Sequence, residues 1–283
     1  MSSRQIIAPR GFPATRASRD PLEWTPRQRK ELRVADGWVA ILLFLVGTVA
    51  GALNVLAGGG SMLTLPLLIF LGLPSAVANG TNRVAILFQN AGAVWGFSRH
   101  GIVEGRWLAW LALPAAAGAA LGSWVAVGVG ELAFRRILAG IMIAVAVWML
   151  WDPLRGRKIE AGPPSTSRRA LLALAFLGIG FYGGFIQAGI GFLLLAVMPF
   201  AGLDLVRGNA LKVLVILTFT PIALAVFAWN GKVDWALGLA LALGHVAGSL
   251  LGVRLTLLMG HKGLKYLVTA VVVIFALKLW WSG

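Results

Sequence analysis

Two short stretches of the sequence combine helix-breaking glycines with polar side chains inside apolar surroundings. The first, NVLAGGGS, contains Asn54, Gly58, Gly59, Gly60 and Ser61, and the second, QAGIG, contains Gln187, Gly189 and Gly191. Glycines there end one half-helix and start another, which frees main-chain N–H groups that hydrocarbon cannot satisfy. When such a break faces a protein-lined cavity, the positive ends of the half-helices attract anionic groups. The pattern favours an anion site over the alternative, glycines that serve only close helix packing.

Polar and basic residues begin the segment that follows each break, in ANGTNRVAILFQN and RGNALKVLVILTFTP. The candidate ligands in these two stretches are Asn79, Thr81, Arg83, Asn209 and Lys212. A charge deep in a membrane is costly and is normally kept for function, whereas a charge near the interface can snorkel to water. For Arg83 and Lys212, ligand contact and snorkelling are both open. Weaker candidates on the same flank are Asn82, Gln89 and Asn90.

The acidic residues are informative because of where they are missing. All ten lie in the tail, in the linker or at segment ends, so no carboxylate is expected inside the membrane to carry protons or bind a cation. The absence of these groups favours an anion as the ligand. His245 is the only histidine well inside an apolar segment, where it is either a hydrogen-bonded structural residue or a group that titrates near neutrality.

Enzyme and cofactor chemistry find no support in the sequence. Cysteine is absent, which excludes disulfides, a thiol nucleophile and a cysteine metal site. We find no Walker A lysine, no strand context for a dinucleotide loop and no His–Glu cluster for a catalytic metal. We therefore expect no enzymatic activity, no cofactor and no metal, and no ATP hydrolysis by this chain.

The composition is that of an integral membrane protein. Of 283 residues, 59% are hydrophobic and 12% charged, and the mean hydropathy is +0.84. Apolar runs long enough to cross a bilayer recur along the chain, without the alternation typical of a membrane barrel. The net charge of +15 is concentrated in segments flanking the apolar runs, which indicates topogenic charge and contact with anionic lipid rather than nucleic acid.

The apolar part of the chain contains an internal repeat of two similar halves. We expect residues 1–37 to be a disordered basic cytoplasmic tail, 38–151 a first transmembrane repeat, 152–169 a basic linker and 170–283 a second transmembrane repeat. Positions that match at a nearly fixed offset include Asn54 with Gln187, Gly58 with Gly191, Pro66 with Pro199, Asn79 with Asn209 and Trp151 with Trp281. The prediction is an all-α polytopic membrane protein with two repeats of four helical segments, the first segment of each interrupted by glycines.

The number and direction of the crossings are less constrained. Counting each interrupted segment as one crossing gives eight spans with tail, linker and carboxyl terminus on the cytoplasmic side. If each interrupted segment is instead hairpin-like, the interpretation that we favour, the repeats are inverted relative to each other.

The stretch AGALNVLAGGGSMLTLPLLIFLGLPSAVANGTNRVA resembles the amino-terminal signature of the TauE/SafE sulfite exporter family, and GGFIQAGIGFLLLAVMPFAGLDLVRGNALKV resembles the family's second copy. The resemblance covers roughly residues 38 to 281. It implies a multi-pass permease of the plasma membrane, the inner membrane of a bacterium, that exports sulfite, sulfoacetate or a related organosulfur anion.

We therefore expect a secondary transporter for a small anion that works by alternating access at a site between the two breaks. The alternatives are a passive anion channel and a non-transport membrane subunit. The sequence leaves the exact substrate, the coupling ion, the direction and the oligomeric state undetermined.

Overall fold

A computed structural model describes residues 37–102, 108–151 and 165–259, and these residues contain helices and turns but no strand. The prediction of an all-α fold is confirmed. The described helices are α1 (Gly37–Leu56), α2 (Ser61–Phe70), α3 (Ser75–Ser98), α4 (Leu108–Val127), α5 (Glu131–Trp151), α6 (Thr166–Phe185), α7 (Ile190–Val197), α8 (Leu205–Trp229) and α9 (Trp235–Met259), with a 3₁₀ turn over Met198–Ala201.

Five of the described helices, α1, α4, α6, α8 and α9, are long and apolar enough to cross a membrane, and α2 and α7 are shorter apolar helices. The chain is thus a multi-pass membrane protein. The tail, most of the linker and the last predicted segment, 264–281, lie outside the described residues. The nominal count of eight crossings and the domain boundaries stay predictions.

Each of the two glycine-containing stretches interrupts a helix. The first helix ends at Leu56 and α2 begins at Ser61, and Gly58 between them has φ 86°. The second break separates Phe185 from Ile190, and Gly189 there has φ 72°. Both φ angles are in the left-handed region, which glycine enters without the steric cost that a Cβ imposes. The backbone turns at these positions because glycine allows it.

The two halves of the chain are interlocked. The first helix of each half packs along the third long helix of the other, α1 against α9 and α6 against α4, while α3 and α8 lie against each other and against these pairs. Neither half therefore buries its broken segment by itself. The site described below is built from both halves at once.

Glycines form the seams of these interlocked pairs. A Cβ on Gly118 or Gly122 of α4 would overlap a main-chain carbonyl of α6, and a Cβ on Gly248 of α9 would overlap one of α1. Small residues let helix backbones approach this closely, and in a membrane such packing replaces the hydrophobic driving force. The seams fix how far apart the helices that carry the breaks can lie.

Candidate functional site

The two helix breaks touch each other inside the protein. A Cβ on Gly58 would overlap Cα of Gly191, and a Cβ on Gly191 would overlap Cα of Gly58. Gly60 is as tightly placed, because a Cβ there would overlap the carbonyl oxygen of Ala50. Gly58 and Gly191 are matched positions of the predicted repeat, and both are buried. Only glycine fits at this crossing point.

A small cavity of about 10 Å³ lies beside the crossing, which is room for roughly one water molecule. Its lining consists of Asn54, Gly58, Ser61, Ile86, Gln89, Asn90, Gln187, Ile190, Gly191 and Ile216. Five of the main candidates from the sequence are among them, namely Asn54, Gly58, Ser61, Gln187 and Gly191. Three others, Gly59, Gly60 and Gly189, belong to the breaks but not to the lining.

A chain of hydrogen bonds braces the first break. The Asn54 amide donates to Ser61 Oγ at 3.3 Å and to Gln89 Oε1 at 2.9 Å, and the Ser61 main-chain N–H donates to Asn54 Oδ1 at 3.4 Å. His245 Nδ1 lies 2.7 Å from the same Gln89 oxygen. Asn54 thus ties the end of α1 to the start of α2 and to α3.

The directions of these bonds follow from one group that can only donate. Because the Ser61 main-chain N–H faces Asn54, the atom that it meets is Oδ1, so Nδ2 of Asn54 points to Gln89 and meets Oε1. His245 must then donate from Nδ1, which leaves Nε2 as an acceptor without a partner among the described residues. His245 is buried and hydrogen-bonded, which fits its structural interpretation. The free part of Gln89 that can serve the cavity is its NH₂ group.

The second break is braced in a similar way. Gln187 Nε2 donates to Thr220 Oγ1 at 2.8 Å, and the Thr220 hydroxyl donates to the Ile216 carbonyl at 2.7 Å. The Tyr182 hydroxyl donates to the Ala188 carbonyl, across the turn itself. An amide therefore stands at each break, and in both cases it is anchored to the polar helix that follows in its own half.

Arg83 binds the carboxyl end of α6. It is fully buried, donates from Nη1 to the Gly183 carbonyl at 3.0 Å and from Nη2 to the Gly184 carbonyl, and lies over the Phe227 ring at 4.7 Å. Asn79 donates to the next carbonyl, that of Phe185, at 2.8 Å. The last carbonyls of a helix lack partners within it and carry its negative end, which a cation offsets.

Lys212 does the same for the carboxyl end of α1. Its Nζ donates to the carbonyls of Asn54 at 2.9 Å and Val55 at 2.8 Å, and to Asn209 Oδ1 at 2.6 Å. It is also fully buried, so neither cation snorkels. Each cation sits on one half of the chain and caps the broken helix of the other half, and neither lines the cavity.

Thr81 and Asn82 make contacts away from the cavity. Thr81 Oγ1 accepts from the Asp234 main-chain N–H at 2.8 Å, which ties α3 to the start of α9. Asn82 Oδ1 accepts from the Thr64 hydroxyl at 2.7 Å. Gln89 and Asn90, weaker candidates in the sequence, do line the cavity together with Ile86. Their spacing of three and four residues, which puts side chains on one helix face, is the signal that could have ranked them higher.

The carboxylates of the described residues lie at the starts of helices. Glu131 accepts from Ser75 N and Oγ, each at 2.7 Å, and Asp204 and Asp234 accept from main-chain N–H groups three residues on. Within the described ranges, no three His, Cys, Asp or Glu side chains are grouped to hold a metal ion. The cavity lining itself contains no carboxylate. Its polar side chains are the amides of Asn54, Gln89, Asn90 and Gln187 and the hydroxyl of Ser61.

Comparison with known proteins shows which sequences this chain is similar to. The family model described as Sulfite exporter TauE/SafE matches residues 43–279. The chain is 32% identical over 238 residues to the probable membrane transporter protein ORF9 of a Sinorhizobium species, covering 84% of this chain and 90% of that one. It is 29% identical to a probable membrane transporter protein of Haemophilus influenzae (83% and 90% covered) and to the probable membrane transporter protein YfcA of Escherichia coli K12 (84% and 88% covered). No solved structure matches the chain.

Proposed function

Because the chain belongs to the TauE/SafE sulfite exporter family, whose relatives are named as probable membrane transporters, we propose that it is a secondary transporter of a small anion. The substrate class is sulfite, sulfoacetate or a related organosulfur anion. Transport proceeds by alternating access at the cavity between the two breaks, in the inner membrane of a bacterium. The observation that carries the proposal is the contact of Gly58 with Gly191 beside a polar cavity.

The electrostatics of the breaks support an anion. Ser61 begins α2 and Ile190 begins α7, and both line the cavity, so two positive helix ends lie beside it. The opposing negative ends, those of α1 and α6, are bound by Lys212 and Arg83. Without the two cations, the negative ends of α1 and α6 would largely cancel the field of the positive ends of α2 and α7. With them, the negative ends of α1 and α6 are offset, and the positive ends of α2 and α7 beside the cavity are left to act on a bound anion.

The size of the cavity supports a carrier rather than an open pore. Room for roughly one water molecule is too small for a sulfur oxyanion, so helices must separate before substrate enters. The glycine turns, where φ is positive at Gly58 and Gly189, are the points at which the half-helices can change direction. The described conformation therefore has no room for the substrate at this cavity.

The test is counterflow of radiolabelled sulfite in proteoliposomes. We expect saturable uptake that accelerates when unlabelled sulfite is loaded inside, because a carrier reorients faster when loaded. Flux that rises linearly with concentration and shows no counterflow would identify a passive channel. No flux of sulfite, sulfoacetate or any other small anion would instead support a non-transport subunit.

Two amide-to-leucine substitutions on α3 provide a matched test and control. Asn90→Leu removes an amide from the cavity lining, whereas Asn82→Leu removes one from a buried position outside the lining. We expect counterflow to fall at least tenfold more in Asn90→Leu than in Asn82→Leu, at equal amounts of folded protein. Equal losses would separate transport from this cavity.

A further inference from the structure

Two buried acceptors of the cavity lining have no partner. Within the described part of the chain, neither Oδ1 of Asn90 nor Oε1 of Gln187 has a hydrogen-bond partner. Asn90 and Gln187 are each 1% exposed, and both residues line the cavity. An unpaired polar atom in a buried place costs free energy unless a ligand or water pairs with it. Because Asn90 and Gln187 belong to the cavity lining, a ligand or water in an opened cavity is the partner that these two oxygens lack.

The hydrogen-bond pattern around the two amides assigns the unpaired atoms as oxygens. Asn90 contacts the carbonyl of Ile86 at 2.7 Å, and only its Nδ2 can donate there, so Oδ1 is the atom left over. Thr220 uses its single proton on the Ile216 carbonyl, so it can only accept from Gln187. Nε2 of Gln187 is consumed by that bond, and Oε1 is left over. Rotating either amide would place its oxygen against another acceptor.

Two further polar groups of the lining, on Gln89 and Ser61, are available as hydrogen-bond donors. Gln89 has its NH₂ group left, because its oxygen accepts from Asn54 and His245. Ser61 accepts from Asn54 at its oxygen and keeps its own proton to donate. No lysine or arginine is part of the lining. The cavity thus offers both donors and acceptors, and only the partial positive charge of two helix starts.

From this inventory, and resting on the proposed function, we infer that the bound substrate is a singly charged sulfur oxyanion that brings its own hydrogen-bond donor. Hydrogensulfite in its O–H form and 2-hydroxyethanesulfonate meet the condition. Fully deprotonated sulfite, sulfate and sulfoacetate do not, because their oxygens only accept, so the inference narrows the proposed substrate class. Their lone pairs would face Asn90 Oδ1 and Gln187 Oε1, and their second charge would find no cation in the lining.

A matched pair of ligands tests the inference on the parent protein. Ethanesulfonate and 2-hydroxyethanesulfonate carry the same single charge at neutral pH and differ by one hydroxyl group. Calorimetric titration of the purified full chain should give a dissociation constant roughly tenfold lower for the hydroxylated ligand, since its proton pairs with an oxygen that is otherwise unsatisfied. Equal affinities, or tighter binding of ethanesulfonate, would overturn the inference.

Substitutions of Gln187 and Asn90 test whether their oxygens cause the preference for the hydroxylated ligand. In Gln187→Met and Asn90→Leu, which remove the unpaired oxygens, we expect the affinity ratio of the two ligands to fall toward one. Asn82→Leu, whose amide lies outside the lining, should keep the parent ratio. A parent ratio that survives in both lining variants would mean that water satisfies these oxygens, and the inference would be wrong.

The same titrations separate the inference from the proposed function. If both sulfonates and sulfite bind, but without preference for the hydroxylated ligand, only the inference fails. If the full chain binds none of them and shows no sulfite counterflow, the proposed function fails with it. The pH dependence of sulfite affinity is a third measurement. The affinity for sulfite should fall as the pH rises and hydrogensulfite loses its proton, while the affinity for ethanesulfonate stays constant.

Discussion

At the scale of single residues, the two buried cations are explained by main-chain carbonyls. Arg83 and Lys212 each bind consecutive carbonyls at the end of a broken helix, at distances such as 3.0 Å and 2.8 Å. A helix that ends inside a membrane leaves carbonyls that neither water nor lipid satisfies. The cations therefore make the breaks tolerable, because they pair with carbonyls that would otherwise lack a partner.

We predict that Lys212→Met lowers the free energy of unfolding by about 3 kcal/mol, because three buried oxygens lose a charged donor together. Lys212→Arg should lose less, since the positive charge is kept. Thermal and denaturant unfolding in detergent measure the change, with Lys232→Met, at a partly exposed position after α8, as the control. Equal stability of Lys212→Met and the control would show that the capping bonds contribute nothing.

Asn54 is predicted to act as a brace. Both hydrogens of its amide are already donated, to Ser61 and Gln89, so Asn54→Leu should lower the stability of the ligand-free protein by about 1–3 kcal/mol and reduce transport as well. Asn230→Leu, at an exposed amide bonded to Val226, serves as the surface control. A variant that keeps full stability but loses anion affinity would assign Asn54 to direct ligand contact instead.

At the scale of helices, the seams decide how closely the broken segments can approach their partners. On α6, Gly180 faces the carbonyl of Ala115, whereas a Cβ on Gly178 would have no atom within 4 Å. The two glycines are one half-turn apart and therefore form a natural comparison. The first belongs to the seam and the second lies on an open face.

We predict that Gly178→Ala is neutral or stabilises the protein by up to about 1 kcal/mol through helix propensity. Gly180→Ala should destabilise it by about 2 kcal/mol or more, because α6 must move away from α4. Unfolding midpoints of the two variants, measured side by side, give the comparison. Similar midpoints would mean that the seam is loose enough to admit a methyl group.

The sequence predicts the local part of this arrangement well. Breaks at the glycines and amides beside them follow from residue type and spacing, whereas the sequence left open whether Arg83 and Lys212 are buried or snorkel to water. The hydrogen-bond partners of these residues do not follow from the sequence, because they depend on how α1 packs against α9 and α6 against α4. Thr81 illustrates the limit, since it was expected at the site but accepts from the Asp234 N–H, a contact that depends on where α9 begins.

At the scale of the whole molecule, each half completes the broken segment of the other. Arg83 from the first half caps α6, Lys212 from the second half caps α1, and Gly58 touches Gly191 between them. A movement that opens one break therefore changes the contacts of the other. Such coupling is what alternating access requires of a site shared by two halves.

The most direct test of this account is the two-sided reactivity of a single cysteine at Ile216, in the cavity lining. The parent chain contains no cysteine, so Ile216→Cys is the only target. A membrane-impermeant thiol reagent should modify it slowly in right-side-out and in inside-out vesicles, and 2-hydroxyethanesulfonate should slow both reactions. Asn230→Cys, at an exposed position, should react from one side only, regardless of ligand. Reaction of Ile216→Cys from a single side, unaffected by any sulfur oxyanion, would contradict alternating access at this cavity.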